Sequence, residues 1–85
     1  MSCSVGQIVR AKAGRDKNNF FVVVGVEGEF AFIADGKRRK VDNPKKKKFI
    51  HLEITDFRAN NFSTNREIKK ALSEAIKNMS AGSDN

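Results

Sequence analysis

The stretch AGRDKNNFFVVVG, residues 13–25, sets a tight group of charges directly against a run of aromatic and β-branched residues. Phe20 to Val26 is rich in Phe and Val and is bounded by Asn18 and Asn19 on one side and Glu27 and Gly28 on the other, which is strand chemistry. Upstream, Val9, Ala11 and Ala13 alternate with Ile8, Arg10 and Lys12, so residues 7–13 read as a half-buried strand whose polar face carries two cations. Downstream, Gly28 takes positive φ at no steric cost and marks a reversal into a third strand over residues 29–35, where Phe30, Phe32 and Ala34 alternate with Ala31, Ile33 and Asp35. Asp35-Gly36 is a further hairpin signal, predicting a fourth strand over residues 37–41 with Val41 as its main core residue. Pro44 cannot donate a ladder hydrogen bond and suits a connection. Beyond it, Ile50, Leu52 and Ile54 alternate with Phe49, His51 and Glu53, predicting a fifth strand.

Five short strands with tight links favour a small antiparallel barrel, because closing or nearly closing the sheet protects edges that would otherwise pair with other chains. The chain is therefore expected to be mainly β, with a five-stranded SH3-like barrel over residues 1–56. Residues 57–63 are polar apart from two Phe and read as a linker. Thr64 followed by Glu67 is a capping box that opens a helix over residues 64–79. Its apolar stripe of Ile68, Leu72, Ala75, Ile76 and Met79 is expected to pack on the barrel, with Arg66, Lys69, Lys70 and Lys77 on other faces. Residues 80–85 are expected to be a loose tail.

Composition narrows the partners. An 85-residue chain with 39% hydrophobic and 32% charged residues holds one domain with a modest core and a heavily ionised surface, which disfavours a large enclosed pocket. The net charge is +7, and residues 37–48, KRRKVDNPKKKK, carry eight basic residues against one Asp, enough to account for all of it. Residues 10–17, RAKAGRDK, carry four basic residues and one acidic residue. Charge gathered in this way suits a polyanion, whereas scattered charge would serve solubility equally well. The lone Cys3 supports neither a disulfide framework nor a metal-ligand spacing, and no segment reads as a leader or a membrane span, so a cytoplasmic protein with no membrane partner is expected.

Catalytic chemistry has little support. His51 has no second His or Cys to join it as a metal ligand or nucleophile, and it reads as a surface contact or a packed strand residue. Asp16, Asp35, Asp42 and Asp56 sit among turns with cations nearby, as turn formers or ion-pair partners do. Gly36-Lys37 belongs to a hairpin signal and not to a phosphate-cradling loop. No enzyme activity, metal, cofactor or small-molecule substrate is expected.

The order SVGQIVRAKAGRDKNNFFVVVGV resembles the KOW motif, a strand, glycine turn and strand unit of ribosomal proteins and of antitermination-type elongation factors. With IADGKRRKVDNPKKKKFIHLEITD, the resemblance extends to the KOW-containing large-subunit ribosomal proteins of archaea and eukaryotes and to their small bacterial relatives, over about residues 5–56. Many relatives carry Gly where this chain has Asn18, and Asn is the non-Gly residue most tolerant of left-handed geometry. The resemblance implies an SH3-like KOW barrel that binds RNA, ribosomal RNA or the ribosome above all. On the motif turn the implied contacts are Arg10, Lys12, Gly14, Arg15, Lys17 and Asn18. On the second basic segment they are Lys37, Arg38, Arg39 and Lys40, then Lys45, Lys46, Lys47 and Lys48 acting collectively, with His51 beside them. Asp16 is read as a shaper of the turn through its loop amides. Arg15, Arg38 and Arg39 are expected to matter most individually, because guanidinium forks onto phosphate. With no Trp or Tyr, and most of the seven Phe claimed by strand interiors, backbone and shape recognition is expected over base stacking. Two other readings stand beside this one: an SH3-like adaptor docking on a ribosomal or transcription-machinery protein, and, more remotely, an import tag in KRRK and KKKK. A monomer is expected.

Overall fold

In the computed structural model, which describes residues 4–83, the strands are β1 (Gln7–Ala11), β2 (Phe20–Glu27), β3 (Phe30–Ala34), β4 (Lys45–Lys48) and β5 (Leu52–Arg58). They form one antiparallel sheet in the order β4-β3-β2-β1-β5, followed by a single helix, α1 (Asn65–Ser83). The mainly β, five-stranded architecture with one C-terminal helix is as expected. Among the described residues no ladder joins β4 to β5, so the barrel stays open along that seam.

Strand β2 explains why FFVVV does not alternate. Phe21 and Val23 point to one face, where they meet Val9, Ala11, Ala31, Ile33 and Leu52 inside the curled sheet. Val22 points to the other face and meets Ile8, Ala34, Ile68, Leu72 and Ala75 beneath α1. A strand covered on both faces must be apolar throughout, and the helix supplies the second cover. Curling is helped by register shifts between Val23 and Gly25 on β2 and between Gln7 and Val9 on β1. At the second shift Thr55 closes the ladder: its hydroxyl donates to the Ile8 carbonyl at 2.6 Å and accepts from the Phe57 amide at 3.2 Å.

The capping box forms as the sequence indicates. The Glu67 amide donates to Thr64 Oγ1 at 3.1 Å, while Glu67 Oε1 accepts from the amides of Thr64 at 3.2 Å and Ser63 at 2.9 Å. Replacing Thr64 with alanine orphans one of these donors and is expected to cost about 1 kcal/mol. In a domain of this size that lowers Tm by about 4–8 °C, which calorimetry reads directly.

Several elements differ from the sequence expectation. Residues 37–41 form a loop, and the fourth strand is KKKK itself, Lys45–Lys48. The Asp35 carboxylate accepts from the amides of Lys37 and Arg39, both at 2.9 Å, and the Arg39 carbonyl accepts from the amides of Asp35 and Gly36. That wiring uses the amides a ladder would need. The fifth strand starts later than expected because Phe49–His51 form a 3₁₀ turn. The turn takes Ile50 out of the strand and leaves it 70% exposed, while Phe49 packs on the interior cluster instead; within β5 Leu52 is buried and Ile54 is 41% exposed. Strand β5 runs to Arg58, and Phe57 and Phe62 pack under the helix, so the stretch expected to be a linker contributes to the core. Helix α1 continues to Ser83, past residue 79, since propagation adds a hydrogen bond per residue until something stops it. Residues 84–85 of the expected tail, and Cys3, lie outside the described residues.

Candidate nucleic-acid interface

The loop between β1 and β2, residues 12–19, turns through two left-handed positions, Gly14 at φ 81° and Asn18 at φ 73°. Asn18 therefore adopts the left-handed geometry that glycine takes most readily, and its side chain gains a partner by doing so. Asn18 Oδ1 accepts from Arg10 at 2.6 Å. The loop's own amides close it further: Asn18 N donates to the Ala11 carbonyl, Lys17 N to Gly14 and Asn19 N to Asp16.

Three long-range links fasten this loop to the second basic segment and to the turn beside it. Asp16, only 3% exposed, pairs through Oδ2 with the Arg39 guanidinium at 3.1 Å. Lys47 Nζ donates to the Ala13 carbonyl at 2.8 Å. The Lys12 amide donates to the His51 carbonyl at 2.8 Å. Residues 10–17 and 37–48, separate in the chain, thereby become one surface. The Asp16 carboxylate shapes the loop by gripping Arg39, and among the described residues no loop amide donates to that carboxylate as the sequence had suggested.

The cations fall into two groups. Arg10 is held by Glu53 at 2.6 Å and by Asn18, Arg39 by Asp16, Lys47 by Ala13, and Lys46 lies 3.5 Å from Glu27 and 4.5 Å from the Phe30 ring centroid. These side chains are partly spent on the fold. Lys12, Arg15, Lys17, Lys37, Arg38, Lys40, Lys45 and Lys48 are exposed, and Lys48 stands 6.0 Å from the same Phe30 ring. Gly14 carries no side chain on the exposed loop, and an added Cβ would lie 3.3 Å from Lys47 Nζ. His51 is exposed at the end of the 3₁₀ turn, beside the loop it accepts a hydrogen bond from.

Sequence reading missed how the second basic segment is held. Gly36, at φ 80°, packs so closely on α1 that an added Cβ would lie 2.5 Å from the Asn65 carbonyl oxygen, and Asn65 Oδ1 accepts from the Val41 amide at 2.7 Å. The ADG turn is a usable signal for a carboxylate-capped loop, but its seat on the helix has no local signature. Among the described residues no group of three or more His, Cys, Asp or Glu stands ready for a metal ion, and no helix is long and apolar enough to cross a membrane. No family model matches the chain, and no curated protein matches it significantly.

Proposed function

We propose that this is an RNA-binding protein that grips the phosphate backbone of structured RNA, ribosomal RNA or the large ribosomal subunit first, with the surface formed by residues 12–18, 37–40 and 45–48. The observation that carries the reading is the pair of links Asp16–Arg39 and Lys47–Ala13, which set two basic segments side by side and leave Arg15, Lys17, Lys37, Arg38, Lys45 and Lys48 exposed around the junction. Spending some cations on the scaffold makes the rest a preorganised array, so less ordering entropy is lost on binding. The KOW resemblance points the anion surface toward RNA. A monomer working in the cytoplasm, without catalysis or cofactor, completes the reading.

The test is co-sedimentation with ribosomal subunits of the native source over a salt series. Wild type is compared with a variant carrying Arg15→Ala, Lys17→Ala and Arg38→Ala, three exposed cations outside the structural links. Contact with five to eight phosphates gives a log-log slope of affinity against salt on the order of −4 to −7, and losing three contacts makes it shallower by about 2 to 3. A wild-type affinity nearly independent of salt overturns the proposal. So does capture of a protein partner after nuclease treatment with no RNA retained, which is the behaviour of an adaptor.

A further inference from the structure

An open groove of about 650 Å³ runs between α1 and the loop that follows β3, within the size range of clefts that hold small ligands. Its floor is apolar. Phe20 and Leu72 form it together with Ile76, which is 43% exposed and therefore an apolar surface left uncovered. Its rim is basic, with Lys37 and Arg38 on the loop and Lys69 on the helix, all exposed. The one carboxylate there, Asp35, has Oδ1 already committed to two backbone amides. Asn19 and Ser73, at the same groove, carry donors and acceptors.

An apolar floor, a rim of three cations against one carboxylate, and a few convergent polar groups match one ligand chemistry closely. A nucleotide that has left its stack presents a flat apolar face, a hydrogen-bonding edge and an anion in one unit. We infer that this groove receives a single unpaired nucleotide of the bound RNA, with its base on Ile76 and Phe20 and its phosphate on Lys37, Arg38 and Lys69. The inference rests on the RNA-binding reading and adds to it, because the backbone grip is blind to pairing whereas this groove distinguishes an extruded base from a stacked one. The groove shares Lys37 and Arg38 with the proposed phosphate surface, so the two sites adjoin. An acidic peptide would satisfy the rim but has less use for an apolar floor flanked by an amide and a hydroxyl.

The probes are a blunt RNA duplex and the same duplex carrying one unpaired, fluorescent adenine analogue. Wild type is expected to bind the bulged duplex about tenfold more tightly, since stacking a base on an aromatic side chain, here Phe20, contributes on that scale, and to change the analogue's emission. Ile76→Gln makes the exposed part of the apolar floor polar, and Lys69→Met keeps the stem while deleting the charge. Both lie on an exposed helix face, and circular dichroism checks their fold. Each is expected to bring the bulged duplex down toward parity with the blunt one, whose affinity changes little. Equal wild-type binding of both duplexes, with a steep salt dependence, overturns this inference while the phosphate grip stands. Binding of neither duplex overturns the RNA reading and this inference with it. A preference retained in both folded variants also overturns the inference.

Discussion

Gly36→Ala is expected to lower Tm by about 12–24 °C, close to 3 kcal/mol in a domain of this size. Two costs combine. Gly36 sits at φ 80°, where an L side chain costs about 1–2 kcal/mol. The added Cβ also meets the Asn65 carbonyl oxygen at 2.5 Å and Lys69 Cγ at 2.8 Å, and the first of these is backbone that cannot rotate away. The loss of chain entropy in the unfolded state offsets only about 0.4–1 kcal/mol. Gly28→Ala is the internal control, because Gly28 also has positive φ, 57°, but faces open space. It carries the conformational cost without the collision, so its Tm is expected to fall by only a few degrees. Equal losses in the two variants would show that Gly36 is not wedged against the helix. The result bears on the proposed function, since the same wedge holds Lys37 and Arg38 in place.

Arg39→Met is expected to destabilise the fold by about 3 kcal/mol, the low end of the range for breaking a buried ion pair. The Asp16 side chain is 5% exposed and would lose its counter-ion, whereas the Arg39 side chain is 30% exposed, so water recovers part of the cost. The pair is not ideal to begin with: Arg39 Nε is buried with no partner among the described residues. An unsatisfied donor of that kind detracts from what the pair contributes. The double variant Asp16→Asn, Arg39→Met removes the charge and its counter-charge together and is expected to be more stable than Arg39→Met alone. Denaturant titration of the four proteins closes the cycle, and simple additivity would show that the two side chains are not coupled. Arg39 thus holds the basic loop in shape first, and under the proposed function its removal is expected to weaken RNA binding through the 12–19 loop as well as through charge.

Much of the fold was legible because its signals are local. Alternation in residues 7–13, the FFVVV run, the Gly28 reversal and the Thr64–Glu67 box each declare their element within a few residues, and each forms, the first ending at Ala11 where the 12–19 loop begins. The fourth strand was misplaced because two local rules competed. Asp35-Gly36 reads as a hairpin, and four consecutive lysines are poor strand formers by propensity. What decides is pairing: Lys45–Lys48 lies on the exposed edge of β3, where Lys46 and Lys48 flank Phe30 and Lys47 reaches the Ala13 carbonyl. Charged side chains on an edge also protect it from pairing with other chains. Ile50 went astray because a 3₁₀ turn takes residues 49–51 out of the strand.

The candidate surface divides along the same line. That residues 10–17 and 37–48 are cationic is a matter of composition, and the sequence alone determined it, together with the strand count, the helix and its cap. Only the tertiary structure decided which cations remain available. Arg10, Arg39 and Lys47 were indistinguishable from Arg15, Arg38 and Lys48 in the chain, and they are separated by partners 43, 23 and 34 residues away. A charge is visible in a sequence, but its counter-charge is chosen by the way strands far apart in the chain are brought together.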